Sequence, residues 1–397
     1  MSQLSSAHIA VSQAQPKPPV EPKESTVYFP NLDGLRFICF LAVFLYHSFA
    51  TSSPEIKNSS LYHLVKHFLF RNGNLGVNFF FVLSGFLITY LLLAEKKKTS
   101  RINIPAFYMR RILRIWPLYY LCVLFGFVLF PIIKNMTGEV SMETANWLPY
   151  LVFLNNFDFI SNGLPDASSL GILWSIAIEE QFYLIWPLLI AFSPNRAYPY
   201  IFSALLIISF WFRYISVPNY YLLEFHTLSC ISDMTMGGIF AHVCFNHKSF
   251  VDRIQNAPRL MWIMLYLIVT AVFLFRGEIF IRGPLWNACD RLIIGFLFAM
   301  VIVEQNYARH SLFKMSGFKW ISRLGIYTYG LYCLHMIGLL VTNKLLGVWG
   351  WNKNVYQVIF VECPLALLVT VLLAVASYHF YEKKFLLLKK KFSWERK

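Results

Sequence analysis

The chain has 397 residues, of which 57% are hydrophobic, 18% aromatic and only 14% charged, where ordinary soluble domains carry about 25% charged residues. Apolar runs of about 20 residues recur along its whole length, which excludes a soluble enzyme and predicts an all-α polytopic membrane helical bundle. The net charge of +15 does not point to nucleic acid, because the basic residues fall between apolar runs, where they anchor cytoplasmic segments beside anionic lipid.

Residues 1–27 are rich in Ser, Gln, Pro and Lys and lack an apolar core, so they are expected to form a disordered cytoplasmic tail rather than a signal peptide. About ten spans follow, near 32–50, 75–94, 115–134, 172–192, 199–216, 228–245, 260–275, 288–304, 324–342 and 355–377. With the N-terminus inside, cytoplasmic segments hold 24 of the 35 Lys and Arg residues and the other side 9, while Arg36 and Arg291 lie within spans. This bias predicts both termini in the cytoplasm and a multi-pass protein of the cell (inner) membrane. The expected membrane domain is 28–385, followed by a basic cytoplasmic tail at 386–397. Seven cysteines lie in or beside apolar runs without a C-x-x-C, a pattern of small buried thiols, with neither a disulfide framework nor a metal site indicated.

The first span, NLDGLRFICFLAVFLYHS, carries Arg36 and His47 eleven residues apart. At about 100° and about 1.5 Å per residue, they share a helix face and stand about 16 Å apart along the axis. Ionisable residues at membrane depth are costly and mark function. The outer loop 51–74 places His63 and His67 at i,i+4, a surface helix rather than a metal site, since no third ligand is evident. Ser84-Gly85 in the second span marks tight helix packing; no G-x-S-x-G elbow is present. In FYMRRILRIWP, Arg110, Arg111 and Arg114 form a cationic collar, either a topological anchor or, with Trp116 and Tyr119, a clamp for phosphates and a purine ring. The outer segment 135–171 is too apolar for a plain linker and is expected to fold back into the interface.

In the fourth span, LWSIAIEEQFYLIWP, Ser175, Glu179 and Tyr183 share a face, with Glu180 beside it. Two adjacent carboxylates here need water or a partner. They either lock helices by pairing with an arginine or serve chemistry, one of them orienting a histidine. Asp233 in the sixth span needs a buried partner such as Arg291, and the following Gly237 and Gly238 permit close helix approach. His335 in the ninth span is either a packing donor or a second imidazole at the depth of His47.

The ordered set LDGLRFICFLAVFLYH, FFFVLSGFLI, FYMRRILRIWPLYY, LWSIAIEEQFYLIWP, SDMTMGGIFA, YTYGLYCLH and YHFYEKKF resembles the acyltransferase-3 family of integral membrane acyltransferases. The likeness covers about residues 30–385. The family's Arg and His of the first span fall on Arg36 and His47. Its Trp-Ser-Leu-x-x-Glu pattern falls on Trp174, Ser175 and Glu179, with Ile176 in place of Leu, and its Arg-Arg-x-x-Arg element falls on Arg110, Arg111 and Arg114. Ile231, Lys384 and Asn78 depart from the frequent Arg, Pro and Asp. Some members carry a fused extracytoplasmic esterase-like domain, which is not expected here.

The resemblance implies O-acylation of a surface glycan or lipid-linked sugar with acyl-CoA, by default acetyl-CoA, as donor and no metal. Arg36, Arg110, Arg111 and Arg114 would hold CoA. His47, Glu179 and His335 form the expected catalytic set, and Trp174, Ser175, Glu180, Tyr183 and Asp233 the expected substrate contacts. A proton-coupled transporter or flippase using Arg36, Glu179 and Asp233 is the alternative, against which stands the lack of an inverted repeat.

Overall fold

The computed structural model describes residues 28–49, 53–280 and 283–392. The expected tail at 1–27 therefore lies outside the described residues. Each apolar run becomes a helix, the one local form that satisfies its own backbone polar groups within a bilayer. In chain order these are α1 (Pro30–Ser48), α2 (Leu75–Thr99), α3 (Ile104–Met136), α4 (Trp174–Phe192), α5 (Tyr198–Ile215), α6 (Thr227–Asn246), α7 (Arg259–Ile279), α8 (Pro284–Tyr307), α9 (Thr328–Trp349) and α10 (Val355–Phe392). No strand occurs among the described residues.

Nine of these helices, with their extensions, are long and apolar enough to cross a membrane among the described residues; α1 is the exception. Its 19 residues suffice for about 28 Å of rise, but Asn31, Asp33, Arg36 and His47 lower its hydropathy. Such a helix needs protein rather than lipid around it. It packs against α2, α8, α9, α10 and the short helix Lys319–Gly325. Its start is pinned by Asn31, whose Nδ2 donates to Gln305 O (2.7 Å) and whose Oδ1 accepts from Ser316 N (2.9 Å).

Two boundaries differ from expectation. Helix α3 begins at Ile104 instead of 115, because Asn103 accepts from Ala106 N and Pro105 suits a first turn, so the three collar arginines belong to the spanning helix itself. Helix α10 continues past 377 through a π-helical turn at Tyr378–Glu382 into Lys383–Lys389 and a final turn Lys390–Phe392. The expected basic tail is thus helical through 392.

Close approach of α2 and α6 is set by two glycines. A Cβ at Gly85 would stand 1.9 Å from Met234 O, and one at Gly237 would stand 1.9 Å from Val82 O. Side chains at either position would drive the helices apart. Behind this seam, Asp233 Oδ2 accepts from Arg291 Nε (2.8 Å) and Asn78 Nδ2 (3.1 Å). Asp290 accepts from Arg213 Nη2 and Arg276 Nη2, each at 2.9 Å. The segment 135–171 packs against the bundle: Trp147–Leu151 and Asn155–Asn162 are short helices, and Asn155 and Asn156 are fully buried. Gln181 Nε2 on α4 donates to Phe153 O and Asn156 Oδ1, both at 2.8 Å. Five of the seven cysteines are buried as free thiols.

Candidate active site

A cavity of about 690 Å³ is lined by α1, α2, α3, α4, α9 and the end of α10. Its volume lies in the range of small-molecule sites, about 300–1,000 Å³. Six basic side chains line it, Arg36, Arg110, Arg111, Arg114, Lys389 and Lys390, against the acids Asp33, Glu179 and Glu382. Their spacing follows from helix geometry: Arg110, Arg111 and Arg114 occupy one stripe of α3, and Arg36 faces them from the first turns of α1.

Only part of this charge is matched. Arg36 Nη1 bonds Asp33 Oδ1 (2.5 Å) one turn earlier, and Tyr28 OH donates to Asp33 Oδ2 (2.7 Å), a bond that raises the phenol above its ordinary pKa. Arg110 Nη2 pairs with the buried Glu95 Oε2 at 3.1 Å. Arg111 instead lies over the rings of Phe107 and Tyr183, 5.5 Å from each centroid, and its buried Nε has no hydrogen-bond partner. Arg114, Lys389 and Lys390 make no ion pair among the described residues.

Further in, the fourth-span face behaves as its spacing predicts. Ser84 Oγ donates to Glu179 Oε1 (2.6 Å), Tyr183 OH donates to Ser84 Oγ (3.1 Å), and Ser175 Oγ shares a hydrogen bond with Tyr332 OH (2.7 Å). All five line the cavity. The two histidines meet: the rings of His47 and His335 lie 5.2 Å apart at 46°. His335 Nδ1 stands 2.6 Å from Tyr332 O. A carbonyl only accepts, so this nitrogen carries the proton and Nε2 presents a lone pair. That Nε2 is buried and has no hydrogen-bond partner.

The expected set is therefore split into two groups. Glu179 is bonded to Ser84, and no hydrogen bond joins it to either histidine among the described residues. Tyr332 stands between the groups, lining the cavity, bonded to Ser175 and with its ring 5.8 Å from that of His335. It was missed at the level of sequence, although Tyr329, Tyr332 and His335 recur every third residue along α9 and so fall on neighbouring faces. Ser84, set aside as a packing residue, is the direct partner of Glu179. Three expected substrate contacts lie off the cavity. Trp174 packs edge-on against Phe225, at 5.0 Å, and Phe81, at 6.1 Å. Glu180 accepts from Trp116 Nε1 (2.9 Å) on another face of α4, its Oε1 buried without a partner. Asp233 is held in its ion pair with Arg291.

Fold and cavity together define a multi-pass membrane protein with a ligand-sized cavity between its helices. Residues 29–379 match the Acyl_transf_3 family, described as an acyltransferase domain, and the chain belongs to that family. It is similar to the peptidoglycan O-acetyltransferase OatA of Listeria monocytogenes, 28% identical over 384 residues that cover 90% of this chain and 56% of the relative. It is also similar to the O-acetyltransferase OatA of Staphylococcus aureus, 33% identical over 187 residues that cover 45% of this chain and 28% of the relative. The chain thus spans about half the length of the Listeria relative. No solved structure matches it.

Proposed function

We propose that the chain is a membrane O-acyltransferase that moves an acyl group, by default acetyl, from acyl-CoA on the cytoplasmic side to a hydroxyl of an extracytoplasmic or lipid-linked glycan. The observation that carries this reading is the arrangement along α1. Its Arg36 end opens on the basic cavity, and His47, about 16 Å further along the axis, meets His335. The glycan acceptor rests on the similarity to peptidoglycan O-acetyltransferases.

In this reading the basic residues hold the phosphates of CoA, and the thioester extends past Glu179 and Tyr332 toward the histidines. His47 removes the acceptor's hydroxyl proton as its oxygen attacks the thioester carbonyl. The carbon–sulfur bond breaks, and the imidazolium returns the proton to the departing thiolate. His335, its tautomer set by Tyr332 O, positions His47 or accepts the proton in relay. Glu179 holds Ser84 and Tyr183 along the path.

The test is purified protein in liposomes with radiolabelled acetyl-CoA and a glycan acceptor. Label transfer with CoA release, lost in His47→Ala and kept in the exposed outer-loop variant Lys57→Ala, is the expected result. Normal turnover in His47→Ala overturns the mechanism, and glycan movement without CoA release favours a transporter.

A further inference from the structure

The last ten described residues are not a free tail. Helix α10 turns past Glu382 and lays Lys383–Phe392 along the start of α3. Tyr381 OH donates to Pro117 O (3.2 Å) and Arg110 Nη1 donates to Phe392 O (2.8 Å), so the segment is tied to the same helix that carries the collar. Its inward side places Lys389 and Lys390 in the cavity wall. The family match ends at residue 379, so this wall lies beyond the matched domain.

Four of the cavity's six cations, Arg111, Arg114, Lys389 and Lys390, have no ion-pair partner among the described residues. Like charges gathered round one cavity repel one another, Glu179 and Glu382 offset this only in part, and an anion that fills the space relieves it. One phosphate takes one or two such contacts, while four unmatched cations on two separate elements suit a ligand with several phosphate groups. We infer that the C-terminal segment Lys383–Phe392 is the closing wall of the donor site, and that Lys389 and Lys390 bind phosphates of the donor opposite Arg111 and Arg114. This rests on the acyl-CoA reading above for the identity of the ligand, but the anion site itself does not.

The experiment uses the full chain in detergent and measures both CoA and inorganic pyrophosphate binding by calorimetry, alongside thermal unfolding. For Lys389→Gln/Lys390→Gln, affinity for CoA is expected to fall about tenfold or more. The unliganded unfolding midpoint is expected to hold or rise, because repulsion has been removed; a merely structural role would lower it. Lys389→Arg is expected to keep most of the affinity, and Lys57→Gln, at an exposed position away from the cavity, to change nothing. Unchanged CoA affinity in the Lys389/Lys390 variant overturns this inference while leaving the donor reading intact. A wild-type chain that ignores CoA overturns the donor reading. The anion site is then supported if the double variant weakens pyrophosphate binding and overturned if it does not.

Discussion

Two groups of charge occupy the same bundle and are built in opposite ways. Between α2, α5, α6, α7 and α8, each arginine has a carboxylate: Arg291 with Asp233 at 2.8 Å, and Arg213 and Arg276 with Asp290 at 2.9 Å each. Backbone carbonyls of Leu223 and Asn287 and the hydroxyl of Ser229 complete the shell of Arg213. Around the cavity, by contrast, four cations make no ion pair among the described residues, and beyond its lining the rings of His47 and His335 lie 5.2 Å apart. Charge that is already matched holds helices together. Charge without a bonded carboxylate beside an open volume is available to a ligand, because nearby acids compensate it only in part.

That contrast is open to four measurements. The largest effect is expected from His47→Ala, a fall in acyl transfer of about 10²- to 10⁴-fold, the usual worth of a general base, with the unfolding midpoint unchanged; transfer assays beside thermal melts check it. Next is Asp233→Ala in the matched group, expected to cost about 3–5 kcal/mol by leaving Arg291 buried and unpaired, read as a large drop in midpoint. A variant that melts like wild type but loses CoA binding would move Asp233 into the site and erase the distinction. A smaller change is expected for Arg114→Gln, about a tenfold loss of CoA affinity without loss of stability, by calorimetry and melting together. Smallest is Glu278→Ala, which removes the exposed pairing with His67 at 3.3 Å and Arg71 at 3.5 Å and should shift stability by less than about 1 kcal/mol, with transfer unchanged.

Much of the site was legible because helix periodicity is local. Arg110, Arg111 and Arg114 at i, i+1 and i+4, and Ser175, Glu179 and Tyr183 at i, i+4 and i+8, share faces on any straight helix, and all six line the cavity. Asp233 and Arg291 were expected to meet because a lone buried charge has few affordable alternatives. Which of two adjacent carboxylates faces the cavity was not legible. Glu179 and Glu180 differ by one residue, about 100° of helix rotation, and only the placement of α2 and α3 sends one to Ser84 and the other to Trp116. The extent of α10 was likewise hidden, since a Lys-rich end reads as a solvated tail until a partner surface is known.

The sequence alone settled the class: an apolar, low-charge chain must span the membrane as helices, and the ordered motifs placed its family. It also established that Arg36 and His47 share a face of α1, since rise and twist per residue are properties of the backbone. Tertiary structure decided the rest. It gave α1 a proteinaceous sheath that its modest hydropathy requires, set His335 rather than Glu179 beside His47, and folded Lys389 and Lys390 back into the cavity wall. These are contacts between segments far apart in the chain. Periodicity specifies which face a residue occupies, whereas only packing specifies what that face meets.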